Sequence, residues 1–159
     1  MSRSIEPTIL TPGGRDRLEA ELHHLKTIRR AEVAELFAQI QTSASGDAEL
    51  ELERGAAREE MALVEGRIAQ LEGLLANATI VEPALREPGV AAVGARVTVE
   101  DEGEEDTYVL VSPAEASPRR GHISIASPVG AALCGRRAGD VVPVETPAGA
   151  RELKVLRVE

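Results

Sequence analysis

Two apolar rhythms divide this chain. Leu18, Leu22 and Leu25 fall at spacings of four and three, and Val33, Leu36 and Ile40 return to those positions eleven, eleven and eighteen residues later. That pattern predicts a coiled-coil seam containing a stutter. Thr11-Pro12 supplies a cap and a proline at the first helical position, so the helix starts there. It ends near Gln41, where Thr42-Ser43-Ala44-Ser45-Gly46 collects turn formers. A second helix is predicted over 47–76, with Leu50, Ala57, Val64 and Leu71 in one heptad position and Met61, Ile68 and Leu75 in the other. Two helices of ~30 residues, rising ~1.5 Å per residue, reach ~45 Å, and a short connection makes them antiparallel. No other long helix remains to bury their faces, so the pair is expected to project as a hairpin.

Pro83 and Pro88-Gly89 close the helical part, and from Gly94 the period becomes two. Short β-branched segments at 95–100, 107–112, 122–126, 140–145 and 151–158 are bounded by glycine, proline and acidic turns, which predicts a small antiparallel sheet. An Ala- and Leu-rich stretch at 129–136 follows Ser127-Pro128 and stops at Gly139, as a short helix would. The expected fold class is α+β: an antiparallel two-helix coiled coil over 1–80 followed by a sheet module with a short helix over 81–159.

Composition narrows the function. Phe37 and Tyr108 are the aromatics, so the core is built from Leu, Val, Ile and Ala and an aromatic-lined pocket is excluded. The net charge of −9 is shared by both halves, which makes free nucleic acid and anionic membranes poor partners unless basic residues cluster. Cys134 is the single cysteine, so no internal disulfide forms and a reducing cytoplasm is the expected location. No apolar run approaches the ~20 residues that span a bilayer. His23 and His24 are adjacent and face different directions on a helix, which argues against a metal site. Cys134, beside Ala132 and Leu133 in the short helix, reads as a packing residue with no neighbouring base.

Three sets of strings carry a resemblance. Gly46-Asp47 opens the second helix with Ala56-Ala57-Arg58-Glu59 following; Leu75-Ala76-Asn77-Ala78 closes it; and Ser127-Pro128-Val129-Gly130-Ala131-Ala132-Leu133, Gly139-Asp140-Val141-Val142 and Thr146-Pro147-Ala148-Gly149 mark the sheet module. With the order of elements, they resemble the bacterial Gre-type transcript-cleavage factors over residues 8 to 158, closest to the non-cleaving, inhibitory homologues. The resemblance implies a coiled-coil finger in the secondary channel of bacterial RNA polymerase and an FKBP-like domain docked at the channel entrance through Ser127 and Pro128. It also implies an Asp and a Glu three residues later at the finger tip, which help hold a second Mg²⁺ at the polymerase active site, where two-metal hydrolysis needs carboxylates within reach of ion and water.

The chain departs from that pattern at the tip. Asp47 matches the family's Asp, but Leu50 stands where the Glu belongs and offers no coordinating oxygen. Asp47, Glu49, Glu51 and Glu53 still place four carboxylates in seven residues, with Glu49 and Glu53 on one face and Asp47 and Glu51 on another. Read without the family, they are a solvated helix start favoured by the macrodipole; read with it, they are a tip facing the polymerase active site, where Asp47 is the candidate Mg²⁺ contact. No metal is expected to bind the chain stably by itself. The run 100–106 carries six carboxylates but lacks EF-hand spacing, and reads as a solvated hairpin turn. Arg29, Arg30, Arg54, Arg58 and Arg67 form a basic stripe or, more plainly, pair with Glu32, Glu35 and Glu65. Ala126 precedes the docking pair where the family often carries Asn or Asp.

The expected function is therefore a monomeric, cytoplasmic regulator that binds bacterial RNA polymerase, meets DNA or RNA only through that complex, and inhibits RNA synthesis without standard transcript cleavage. It has no catalytic site and no cofactor of its own; polymerase-bound Mg²⁺ enters only in the complex. The alternative is an active cleavage factor in which Asp47 with Glu49 or Glu51 replaces the missing pair. Prolyl isomerisation, known among FKBP-like folds, fails because 81–159 holds one aromatic, Tyr108.

Overall fold

A computed structural model describes residues 7–42 and 48–159. The order is β1 (Thr8–Leu10), α1 (Pro12–His24), a π-helical segment (Leu25–Arg29), α2 (Arg30–Thr42), α3 (Ala48–Ala76), β2 (Ala78–Ile80), β3 (Arg96–Asp101), β4 (Glu104–Val111), β5 (His122–Ser124), α4 (Pro128–Leu133), β6 (Val141–Thr146) and β7 (Gly149–Val158). The fold is α+β, as the two rhythms predicted. The chain forms two compact units: Asp16–Asn77, and Met1–Arg15 together with Ala78–Glu159.

In the helical unit, α2 and α3 pack antiparallel. Val33 meets Val64 and Ile68, with Leu22, Leu25 and Met61 against them, and farther along Ile40 meets Leu50 and Ala57, with Phe37 alongside. The stutter has a physical form. From Leu25 to Val33 are eight residues, and at ~100° each they overshoot two turns by ~80°. The π segment, in which the Arg30 N–H reaches the Leu25 carbonyl, takes in one extra residue and rotates Val33 back onto the seam. The Thr27 hydroxyl donates to the His23 carbonyl at 2.7 Å, satisfying a group in the region where the α ladder is interrupted.

One seam position differs from expectation. Leu36 is 45% exposed and Phe37 takes its place, because the inward face after the π segment runs Val33, Phe37, Ile40 and Leu36 lies one residue, ~100°, to the side. Ile28, inside the π segment, is likewise turned outward.

The flanks are tied by ion pairs. Lys26 pairs with Glu72 and Arg29 with both Glu60 and Glu32. Arg30 grips Glu65 at 2.7 and 2.9 Å, and Arg67 grips Glu21 at 2.7 and 3.0 Å. Hydrogen bonding to Arg30 holds the Glu65 carboxyl below its ordinary range, and the same contact raises Arg30. The plainer reading of the basic stripe is thus the observed one for these arginines, with Glu60 and Glu21 as partners that periodicity did not single out.

The second unit is built on a five-stranded sheet ordered β5-β4-β3-β7-β6. All its pairs are antiparallel except β4–β5, which is parallel in the register Val109↔His122. The expected sheet was antiparallel throughout. The difference arises because two 3₁₀ turns, Pro113–Glu115 and Pro118–Arg120, carry the chain back before β5 begins. Val97, Val99, Leu110, Val142, Val144, Leu153 and Val155 close the core, and α4 lays Leu133 on it. Glu102 and Gly103, at φ 52° and 90°, form the two-residue turn between β3 and β4, so the acidic run is the hairpin turn expected. A parallel pair, β1–β2, joins Thr8–Leu10 to Ala78–Ile80. Neither short strand carries enough alternation to be read from sequence.

Cys134 corrects another expectation. It is exposed rather than packed, because α4 stops after Leu133 and Cys134, at ψ 129°, has already left the helical conformation.

Candidate functional site

The tip and the loop before α4 are the two places the sequence marks for function. At the tip, Asp47 lies outside the described residues. Glu49, Glu51 and Glu53 are exposed on the first turns of α3, where carboxylates complement the helix dipole. Glu51 is partly neutralised by Arg54, whose Nη1 donates to it at 2.5 Å. Glu49 and Glu53, four residues apart on one helix face, have no arginine on them among the described contacts. Leu50 points the other way: it is 9% exposed and packs with Ile40 and Ala57.

That burial decides what this turn of helix can offer a cation. A carboxylate at position 50 would have to leave the seam to reach an ion, and a leucine there supplies only methyl contact. Among the described residues, no group of three or more His, Cys, Asp or Glu is arranged to hold a metal. Where the resemblance implies the second carboxylate of an Asp–Glu pair, the chain has this buried leucine.

The loop before α4 is rigid for local reasons. Ser127 caps α4: its Oγ accepts the Gly130 N–H at 3.1 Å and donates to the Ser124 carbonyl at 2.6 Å. Pro128 occupies the first helical position and is exposed, while Val129 leans on the core. Gly130 passes so close to β5 that a Cβ would sit 1.9 Å from the Ser124 carbonyl oxygen. Ser127 is therefore committed to structure, and Pro128 is the group presented outward.

Sequence reasoning missed a buried acid. Glu115 is 5% exposed and accepts the Thr11 N–H at 2.9 Å and the Thr11 hydroxyl at 2.6 Å. Thr11 in turn accepts the Gly14 N–H at 3.0 Å, the cap that Thr11-Pro12 predicted. Any side chain at position 14 would run into the Glu115 carboxylate. The partners stand 104 residues apart, so no local pattern marks them.

No helix among the described residues is long and apolar enough to cross a membrane.

Comparison with known proteins agrees across the chain. Residues 8–80 match the domain family described as transcription elongation factor, N-terminal, and residues 86–159 match transcription elongation factor, GreA/GreB, C-terminal. A protein of Chloroflexus aggregans named transcription elongation factor GreA is 44% identical over 155 residues, covering 96% of this chain and 98% of its own length. One of the same name from Thermoanaerobacter pseudethanolicus is also 44% identical over the same shares. Among solved structures, the GreA factor homolog 1 (Gfh1) protein of Thermus thermophilus aligns at a TM-score of 0.47 and 35% identity, covering 97% of this chain and 99% of that one. The chain belongs to the GreA/GreB family of transcription elongation factors.

Proposed function

We propose that the chain binds bacterial RNA polymerase in the cytoplasm, docking its sheet module through the Ser127–Pro128 loop and carrying its helical hairpin into the secondary channel. Its acidic tip then inhibits RNA synthesis without standard transcript cleavage. The chain acts as a monomeric accessory factor; chemistry belongs to the polymerase and its Mg²⁺. The observation that carries this reading is Leu50, buried in the seam where the family's second carboxylate is expected. Asp47, Glu49, Glu51 and Glu53 bring negative charge to a site that works with cations, and charge unaccompanied by the ordered pair disturbs rather than supports the metal.

A second reading keeps cleavage activity, with Asp47 and Glu49 or Glu51 as rearranged ligands. It is favoured by the exposure of Glu49 and by the elongation-factor names of the relatives. A transcription assay with purified cognate polymerase separates the two, scoring run-off yield and cleavage of a stalled complex together. Inhibition relieved by Asp47→Ala with Glu49→Gln, Glu51→Gln and Glu53→Gln is expected, and Leu50→Glu is expected to introduce some cleavage. Acceleration of cleavage by the wild-type protein would establish the second reading instead.

A further inference from the structure

Three arginines of the sheet module form no ion pair among the described residues, although Arg96 and Glu159 are bonded backbone to backbone across neighbouring strands. Arg119 and Arg120 sit in the 3₁₀ turn Pro118–Arg120, both exposed, and Arg96 is exposed at the start of β3. No described carboxylate forms an ion pair with any of the three, although Arg137 pairs with Glu87 and Arg151 with Asp101 in the same module. In a chain of net charge −9, three uncompensated arginines in one region stand against the average field.

Their placement is fixed by backbone. The Arg120 N–H reaches the Ser117 carbonyl at 2.9 Å, the Gly121 N–H reaches the Pro118 carbonyl at 3.0 Å, and the Val109 N–H reaches the Gly121 carbonyl at 2.8 Å. Gly121 has φ 72°, which favours glycine, and its α-carbon faces the Thr107 carbonyl. The turn is thus anchored to β4. Arg96 is opposite Val109 and Val109 opposite His122, so Arg96 shares a sheet face with the residue that follows the turn by two. The acidic residues Glu105 and Asp106 come just before Thr107, yet neither pairs with these arginines.

Position relative to the docking loop suggests the occupant. β5 is an edge strand of three residues, ~10 Å long. The arginine turn lies at its start and Ser127–Pro128 follows its end, so one partner seated on Pro128 meets both. We infer that Arg119, Arg120 and Arg96 form a basic strip that receives an acidic protein segment of the polymerase beside the docking loop. This rests on the polymerase-binding reading above. Guanidinium groups suit carboxylates, which they can hold bidentately, and such rim charges act mainly on association rate and salt dependence. Nucleic-acid phosphate is the weaker candidate, since the strip adjoins the docking loop, which meets protein in the reading above.

The test measures affinity for core polymerase free of nucleic acid over a salt series, using the full-length chain. Arg119→Glu with Arg120→Glu should lower affinity about tenfold or more at low salt and flatten the salt dependence, with the circular dichroism spectrum and melting temperature unchanged. Arg119→Lys with Arg120→Lys should recover most of the loss, and Arg96→Glu should act in the same direction. Pro128→Ala should lower affinity at every salt concentration without flattening the slope. Unchanged affinity and slope in the double reversal, while Pro128→Ala lowers affinity, would overturn the inference and leave the docking reading standing. A loss seen only when polymerase carries a nucleic-acid scaffold would identify phosphate as the partner and also overturn it. Failure of the wild-type chain to bind core polymerase would remove both.

Discussion

In the hairpin, Arg29, Arg30 and Arg67 each reach a carboxylate of the facing helix, whereas in the sheet module Arg96, Arg119 and Arg120 reach none. The two units solve different problems. A two-helix seam is narrow: Val33, Val64 and Ile68 in one cluster and Ile40, Leu50 and Ala57 in the other provide few buried side chains per turn. Flanking ion pairs across the helices take up Lys26, Arg29, Arg30 and Arg67, while Arg58 forms no ion pair among the described residues. The sheet module has a continuous apolar core beneath α4, and some of its surface charge, at Arg96, Arg119 and Arg120, is left outside its described ion pairs. At the tip, Glu49 and Glu53 have no basic partner among the described residues.

The largest effect that tests this contrast lies in the sheet core. Leu110 is fully buried, and Leu110→Ala should cost the module ~2–5 kcal/mol. The hairpin should keep its own protection, because Leu110 packs in the sheet cluster and the seam is built from Val33, Val64, Ile68, Ile40, Leu50 and Ala57. Native-state hydrogen exchange checks this: loss of protection confined to Ala78–Glu159 and to residues 8–15 of the same unit is expected, and equal loss along α3 would show that the units unfold as one.

A pair of deletions sharpens the hairpin side. Removing Ala38 from regular α-helix turns Ile40 away from Leu50 and Ala57, and should cost ~1.5–3 kcal/mol, the value of one large apolar side chain. Removing Thr27 should cost less, since the π segment loses its extra residue, becomes α-helical and leaves Val33 still facing Val64. Thermal unfolding followed by far-UV circular dichroism ranks them. A Thr27 deletion as damaging as the Ala38 deletion would mean that the π turn is not what absorbs the stutter.

Those deletions also mark where sequence stopped being sufficient. Both long helices, the five-strand sheet and α4 were legible because apolar spacing switches from a helical to a two-residue period. The stutter was legible as a shift in spacing. Its form was not, because eight residues between Leu25 and Val33 can be absorbed by supercoiling or by one π turn, and that choice sent Phe37 inward in place of Leu36. β1 and β2 have three residues each, too few for a period. The Thr11–Glu115 contact joins residues with no shared local pattern. At the candidate site, Leu50 could be assigned to the seam from its heptad position, and Ser127 could be recognised but not its double duty as cap and anchor. The arginine strip was invisible because pairing, not composition, distinguishes Arg119 from Arg30.

A smaller effect separates structure from docking at Ser127. Ser127→Ala removes the acceptor for the Gly130 N–H and the donor to the Ser124 carbonyl, and should lower module stability by ~0.5–2 kcal/mol. Pro128→Ala keeps both bonds and should leave stability nearly unchanged. If polymerase affinity follows Pro128→Ala but not Ser127→Ala, the exposed proline is the contact. The reverse order would make the loop's rigidity the determinant.

The smallest effect concerns the Arg30–Glu65 pair, which lies at the surface and so contributes little to stability at physiological salt. Its sign is nevertheless fixed. Glu65 has its pKa lowered from an ordinary value of 4.5, chiefly by the hydrogen bond from Arg30. A carboxylate whose folded pKa is depressed stabilises the fold above its unfolded pKa, and that contribution disappears as pH falls through the folded value. Arg30, raised by the same contact, stays charged throughout that range. The melting-temperature difference between wild type and Glu65→Gln should therefore be constant from neutral pH down to about 4.5, shrink as the pH falls below it, and shrink at all pH values in high salt. A difference that persists unchanged into acid would mean that the charge of Glu65 is not its source. The hairpin and the sheet module would then differ in shape of core alone, and the contrast in charge pairing would carry no weight for stability.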